Sequence, residues 1–288
     1  MRKNRLAKQQ GPWMEVFSRF LRNKMAVFGL VIIILLILMA LFAPLIAPYG
    51  FDDQVPERGL QPPNSQFIFG TDKFGRDIFS RIVYGSRVSL QVGLIAVAVA
   101  LVSGGLLGAV AGFFGGKTDS IIMRIVDVLM AIPGMLLAIA IAASLGPGLR
   151  NMMIAIGVGS APGYARVTRA SVMSVKDNEF VEAATAIGAS NLRIVFRHII
   201  PNSLAPLIVQ ATLGVAGAII SCATLSFLGL GIQPPQPEWG EMLSSARQYL
   251  RTNDYMAIFP GLFIMITVYA LNVMGDGIRD AIDPRLKD

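Results

Sequence analysis

Residues 177–201 read Asp177-Asn-Glu-Phe-Val-Glu182-Ala183-Ala184-Thr-Ala-Ile-Gly188-Ala-Ser-Asn-Leu-Arg-Ile-Val-Phe-Arg-His-Ile-Ile-Pro201. Taken alone, the stretch is two short helices and a hinge. The first helix runs through Ile187 and breaks at Gly188, because glycine accepts the backbone angles that a helix-to-helix elbow needs. Ser190 and Asn191 are suitable N-caps for the second helix. Pro201 is expected to stop it. Ala183, Ala184 and Ile187 would form a thin face of mostly small side chains, open to close approach by another protein. The same stretch could equally serve as a plain connector.

What flanks this elbow decides the fold. The chain has 288 residues, is 54% hydrophobic and only 15% charged, and has a mean hydropathy of +0.60. Six apolar stretches stand out, at residues 25–47, 88–114, 121–145, 151–170, 203–232 and 255–274. About 20 apolar residues suffice to cross a bilayer as a helix. The pattern predicts an all-α integral membrane protein with six transmembrane helices, and it excludes a soluble enzyme. The third stretch carries Arg124 and Asp127 near its start, and Pro133 is expected to kink it. The fourth contains Pro162 and is the least apolar. The first is longer than a signal-peptide core, and it is read as an uncleaved anchor.

Charge sets the direction. With the N-terminus in the cytoplasm, 17 of the 25 Lys/Arg and 10 of the 18 Asp/Glu fall on the inner side. The outer side is neutral, and the inner side carries the whole net charge of +7. This is the positive-inside pattern. It accounts for the basic pI by attraction to anionic lipid and needs no nucleic-acid partner. Both termini are therefore expected inside. Residues 1–24 read as an amphipathic cytoplasmic segment with Trp13, Phe17, Phe20 and Leu21 on one stripe. Residues 25–87 read as the first span plus an outer segment, and 88–288 as a five-helix core. In the outer segment, Ile78, Phe79, Ile82 and Val83 predict an amphipathic helix capped near Asp77.

Other motifs carry less. Ala111-Gly-Phe-Phe-Gly-Gly-Lys117-Thr118 mimics a phosphate loop, but such a loop follows a strand, and here a membrane helix precedes it. Gly104, Gly108, Gly112 and Gly116 instead make a ridge of small residues for close helix packing. Arg124 and Asp127, three apart, are candidates for an intramembrane ion pair, with each other or with a neighbour. One cysteine and one histidine exclude an internal disulfide and the usual zinc sites. No catalytic triad or metalloprotease motif is present, so no catalytic, cofactor or metal residues are expected.

Glu182-Ala-Ala, Gly188 and Ile199-Ile-Pro201 resemble the EAA loop of bacterial ABC importer permeases. Gly70-Thr-Asp72, Gly75-Arg-Asp77, Ser80-Arg81, Gly85, Arg87 and Ser89-Leu90 resemble the outer motif of the C-type permeases of dipeptide, oligopeptide and nickel importers. Arg124, Asp127, Ile132 and Pro133 match the third-span pattern. The resemblance implies the MetI-like permease fold in a bacterial inner membrane, with Glu182, Ala183, Ala184, Gly188 and Pro201 in the ATPase-coupling loop. It implies four kinds of partner: a homologous B-type permease subunit, two ABC ATPase subunits that bind ATP and Mg, an outer peptide-binding protein, and membrane lipid. The substrate is expected to be a peptide, with nickel as the alternative. A secondary transporter or a channel subunit remains the reading from another class; the former would need intramembrane ionisable groups and an internal repeat.

Overall fold

The computed structural model describes residues 12–282. The described chain is built from helices, with a single isolated bridge between Thr71 and Asp77. Helix α1 (Pro12–Arg22) is short and amphipathic. Its Phe20 packs with Ala26 and Ala281, whereas Phe17 and Leu21 stay exposed. The part of the expected N-terminal helix before Pro12, and the side chain of Trp13, lie outside the described residues. The Asn23 side chain accepts from the amides of Met25 and Ala26 and so starts α2 (Lys24–Leu41) as a separate helix. A one-turn α3 (Ala43–Ile46) follows.

Asp77 caps the next helix, its carboxylate accepting from Ser80 N at 2.8 Å. The expected outer helix and the second span are in fact one element, α4 (Ile78–Phe114), of 37 residues. It ends where Gly115 and Gly116 take positive φ, and α5 (Gly116–Met130) begins there. So the phosphate-loop mimic is a helix-to-helix corner. The glycine ridge is used, but over three residues rather than four. A Cβ on Gly104, Gly108 or Gly112 would run into the backbone carbonyl of Ala161, Ala165 or Arg169 respectively. Gly116 has open space instead and serves the corner. Those carbonyls belong to α7 (Leu149–Lys176), reached through α6 (Gly134–Leu145). Two rows spaced by four residues thus interlock, the arrangement expected of ridges packed into grooves. Pro133 breaks the third span as expected, and α5 and α6 meet at 87°.

Two short helices, α8 (Glu179–Ala186) and α9 (Asn191–Ile194), lead to α10 (Ile200–Phe227). Then come α11 (Trp239–Ala246) and α12 (Tyr255–Ile282). Pro201 does not stop a helix here, contrary to the sequence expectation. The backbone widens into a π-turn over Val195–Ile199, where Ile200 N–H reaches back five residues to Val195 O, and continues through Pro201 into α10. The wider turn accommodates a ring that would clash in a regular helix. Asn202 Nδ2 donates to His198 O, and Ser203 Oγ to Ile199 O, alongside the break.

By length and apolarity α2, α4, the continuous helix ending in α10, and α12 can each cross a membrane, and the bent α5–α6 pair makes a fifth. The six crossings expected from the sequence are therefore not established by these criteria. The remaining helix, α7, is long enough but too polar, with Arg150 near one end and Arg166, Arg169 and Lys176 toward the other. The central core joins Val92, Ala96 and Ala100 of α4 to Met152 and Ile156 of α7, and to Ala216, Ile219 and Cys222 of α10. Leu35, Leu41, Val102 and Ile125 face outward, as lipid-facing side chains do.

Candidate functional site

The elbow is built by a helix stop with a defined hydrogen-bond pattern. Gly188 has φ +79°. Its N–H donates to Thr185 O at 2.9 Å, and Ala189 N–H donates to Ala184 O at 3.1 Å. These two bonds close α8 as a Schellman motif, and the Ala184–Ala189 contact is its usual apolar companion. Ser190 then caps α9, its Oγ accepting from Arg193 N. The hinge is thus a fixed corner.

One side of the corner holds it to the bundle. Val181, Ala184, Ile194 and Ile199 form a buried cluster with Ala109 of α4 and Val172 of α7. Ala184 therefore faces inward, not onto the open face that the sequence reading gave it. Helical spacing explains the difference: Val181 and Ala184 are three apart and share the seated side. Glu182, Ala183 and Gly188 are exposed on the other side. Large apolar side chains are exposed with them: Ile187 at 85%, Leu192 at 72% and Phe196 at 63%. Phe180, Ala183, Gly188, Arg193 and Arg197 line a shallow concavity there. Pro201 lies past the π-turn and shapes the exit into α10.

The candidate pair of Arg124 and Asp127 does not form. Asp127 instead accepts from Arg166 Nη2 of α7 at 2.7 Å, and Arg169 grips Asp119 through both carboxylate oxygens. Arg124 is in none of the ion pairs among the described residues. Asp119 and Asp127, eight apart, share the face of α5 that looks at α7, and Arg124 lies off that face. Arg166 and Asp127 are each 54% exposed, so this contact adds about 1 kcal/mol at most.

A second constellation, at the Asp77 end of α4, was not anticipated as a unit. Arg81 is buried and donates to Glu241 Oε2 at 3.1 Å, to Phe51 O at 3.0 Å and to Pro235 O at 3.3 Å. Arg76 Nε donates to Asp72 Oδ2 at 2.7 Å beside it. Glu238 is buried and caps α11, accepting from Gly240 N, Glu241 N and Ser89 Oγ. Trp239 is fully buried, and its Nε1 donates to Ile82 O. The outer motif is therefore a folding signature: Asp72 and Asp77 fasten turns, Gly75 (φ +73°) sits against the Val55 carbonyl, and Arg81 binds three separate segments. Acids at 238 and 241 beside a tryptophan after a proline run were the only local hint of α11.

The described residues form a helical bundle with several helices long and apolar enough to cross a membrane and with a fixed, exposed helix corner, an architecture that suits a membrane transport subunit. The chain belongs to the family of binding-protein-dependent transport system inner membrane components, whose description matches residues 104–288. Residues 11–63 match the N-terminal transmembrane domain of oligopeptide transport permease C. The chain is 51% identical to the dipeptide transport system permease protein DppC of Alkalihalophilus pseudofirmus, covering 96% of this chain and 91% of that one. It is 47% identical to the di/tripeptide transport system permease protein DppC of Pseudomonas aeruginosa, covering 96% and 93%. It is 46% identical to the glutathione transport system permease protein GsiD of Escherichia coli, covering 96% and 91%. Its fold is similar to a chain of the inward-facing MetNI methionine ABC transporter, with TM-score 0.59 and 21% identity over 72% of this chain and 98% of that one. The expected ABC importer permease class is thereby met. Members of the family are transport subunits of the inner membrane and not enzymes; the ATPase is a separate subunit.

Proposed function

We propose that this chain forms one half of the path of an ATP-driven peptide importer and is moved through the α8–α9 corner. The relatives named above carry dipeptides, di/tripeptides and glutathione in their names, which supports a short peptide as substrate and disfavours nickel. A homologous B-type permease supplies the other half. Two ATPase subunits bind ATP and Mg, and an outer binding protein delivers the peptide. Both termini lie in the cytoplasm.

Glu182, Ala183 and Gly188 meet the ATPase, while Ala184 seats the corner on α4 and α7. The observation that carries this reading is the corner itself. Its hydrogen bonds fix its angle, one side is packed into the bundle, and the other exposes Ile187, Leu192 and Phe196. A rigid lever with an apolar contact face transmits a push without flexing.

The test is uptake together with ATPase co-purification. Gly188→Val places a β-branched residue at φ +79°, straining the corner by about 1–3 kcal/mol. Gly188→Asn tolerates that conformation far better. Glu182→Lys reverses a charge on the exposed face. Normal insertion is expected for all three, with ATPase binding and uptake lost in the Val and Lys variants and retained in the Asn variant. Wild-type transport by both Val and Lys variants, with the ATPase still bound, would reduce the corner to a connector.

A further inference from the structure

The 87° bend between α5 and α6 opens a cavity of about 330 Å³ against the middle of α7. Gly134 and Met135 at the start of α6, Ser160 and Gly163 on α7, and Ser221 on α10 are among its walls, and no charged side chain lines it. Two features set it apart from a packing gap. The chain is broken there, and the first turn of α6 has no side-chain cap, so its leading N–H groups lack helical acceptors. Irregular backbone at membrane depth persists where it is buried in protein or lines a water-filled cavity. Two hydroxyls on its walls, of exposed Ser160 and half-buried Ser221, are also open to a ligand. Ser103, Ser144 and Ser203 each donate to a carbonyl of their own helix, whereas Ser160 and Ser221 enter no hydrogen bond among the described residues.

We propose that this cavity is a contact station for the transported peptide, recognising backbone amides and the terminal carboxylate rather than side chains. The proposal rests on the importer reading above. Amide and carboxylate groups are common to every short peptide. Uncapped N–H groups at the positive end of α6 suit a carboxylate, as at other broken membrane helices. The two serine hydroxyls can donate to or accept from amides. Walls without charge hold such a ligand weakly, and a transport path must release what it binds.

Gly163 lines the cavity and has no atom within 4 Å of where its Cβ would stand, so Gly163→Leu starts its side chain in open space there. Uptake of dialanine and of trialanine is measured in vesicles holding the complete complex. The Leu variant is expected to lose at least about tenfold in uptake, the scale of a pocket filled by extra methylenes, with ATPase co-purification unchanged. Ser160→Cys in a Cys222→Ser background should lose uptake on modification by a methanethiosulfonate reagent, and dialanine with its binding protein should slow that modification. Wild-type uptake by the Leu variant and by the modified cysteine would place the cavity off the path. Cross-linking of that cysteine to a second permease chain would show the cavity to be filled by protein, and the station would fall. Failure of the unmodified complex to take up either peptide would instead sink the importer reading, and the station with it.

Discussion

Arg81 and Glu241 lie 160 residues apart and meet as a buried ion pair at 3.1 Å. The pair ties the start of α4 to α11, and Arg81 also holds the backbone at Phe51 and Pro235. Removing one partner leaves the other charged and buried, which costs about 3–5 kcal/mol. Arg81→Met is expected to lower the unfolding temperature of the detergent-solubilised protein sharply. The double variant Arg81→Met/Glu241→Met should recover part of that loss, because neither charge is then stranded. A double variant no more stable than Arg81→Met alone would count against the pair as the cause.

The α4–α7 seam makes a sharper contrast between neighbouring glycines. Gly108 faces the Ala165 carbonyl, whereas the nearest atom to a Cβ on Gly105 is Thr168 Oγ1 at 3.9 Å. Gly108→Leu should therefore destabilise by at least about 1–3 kcal/mol through overpacking, and Gly105→Leu should be tolerated. Yield and monodispersity after solubilisation read the difference. Equal yields for the two variants would show that the seam adapts.

Direction in the membrane is open to a labelling test. Asn64 and Ser190 are both exposed, and Cys222 is buried. Single cysteines at these two positions, in a Cys222→Ser background, should react with an impermeant thiol reagent from opposite faces. Reaction of both from one face would overturn the proposed topology.

Much of this architecture was legible in local sequence. Uninterrupted apolar runs mark α2, α4, α10 and α12, and side-chain chemistry marks the caps at Asp77 and Ser190 and the stop at Gly188. Four-residue glycine spacing gave the packing seam, though not its partner. What escaped depends on tertiary placement. The pairing of Asp127 with Arg166 requires knowing which face of α5 meets α7. The inward turn of Ala184 requires knowing where the bundle lies. The run of helix through Pro201 depends on a π-turn that no propensity encodes. Helix α11 is short; Glu238 caps it locally, but the ion partner of Glu241 and the serine that donates to Glu238 lie far away in the chain.

Helix α4 is one uninterrupted element from Ile78 to Phe114, and at 1.5 Å per residue it is about 55 Å long. That exceeds the roughly 30 Å hydrocarbon layer, so the helix reaches well beyond the lipid. One end is clamped by the Arg81 cluster, and the other is buttressed by Ala109 against the α8–α9 corner. A stiff beam of this length, tilted by about 10° around its centre, swings its two tips roughly 5 Å in opposite directions. Were the corner driven as proposed above, a rigid tilt of α4 about its middle would carry the displacement to the far rim reversed in sign, like the arms of a seesaw.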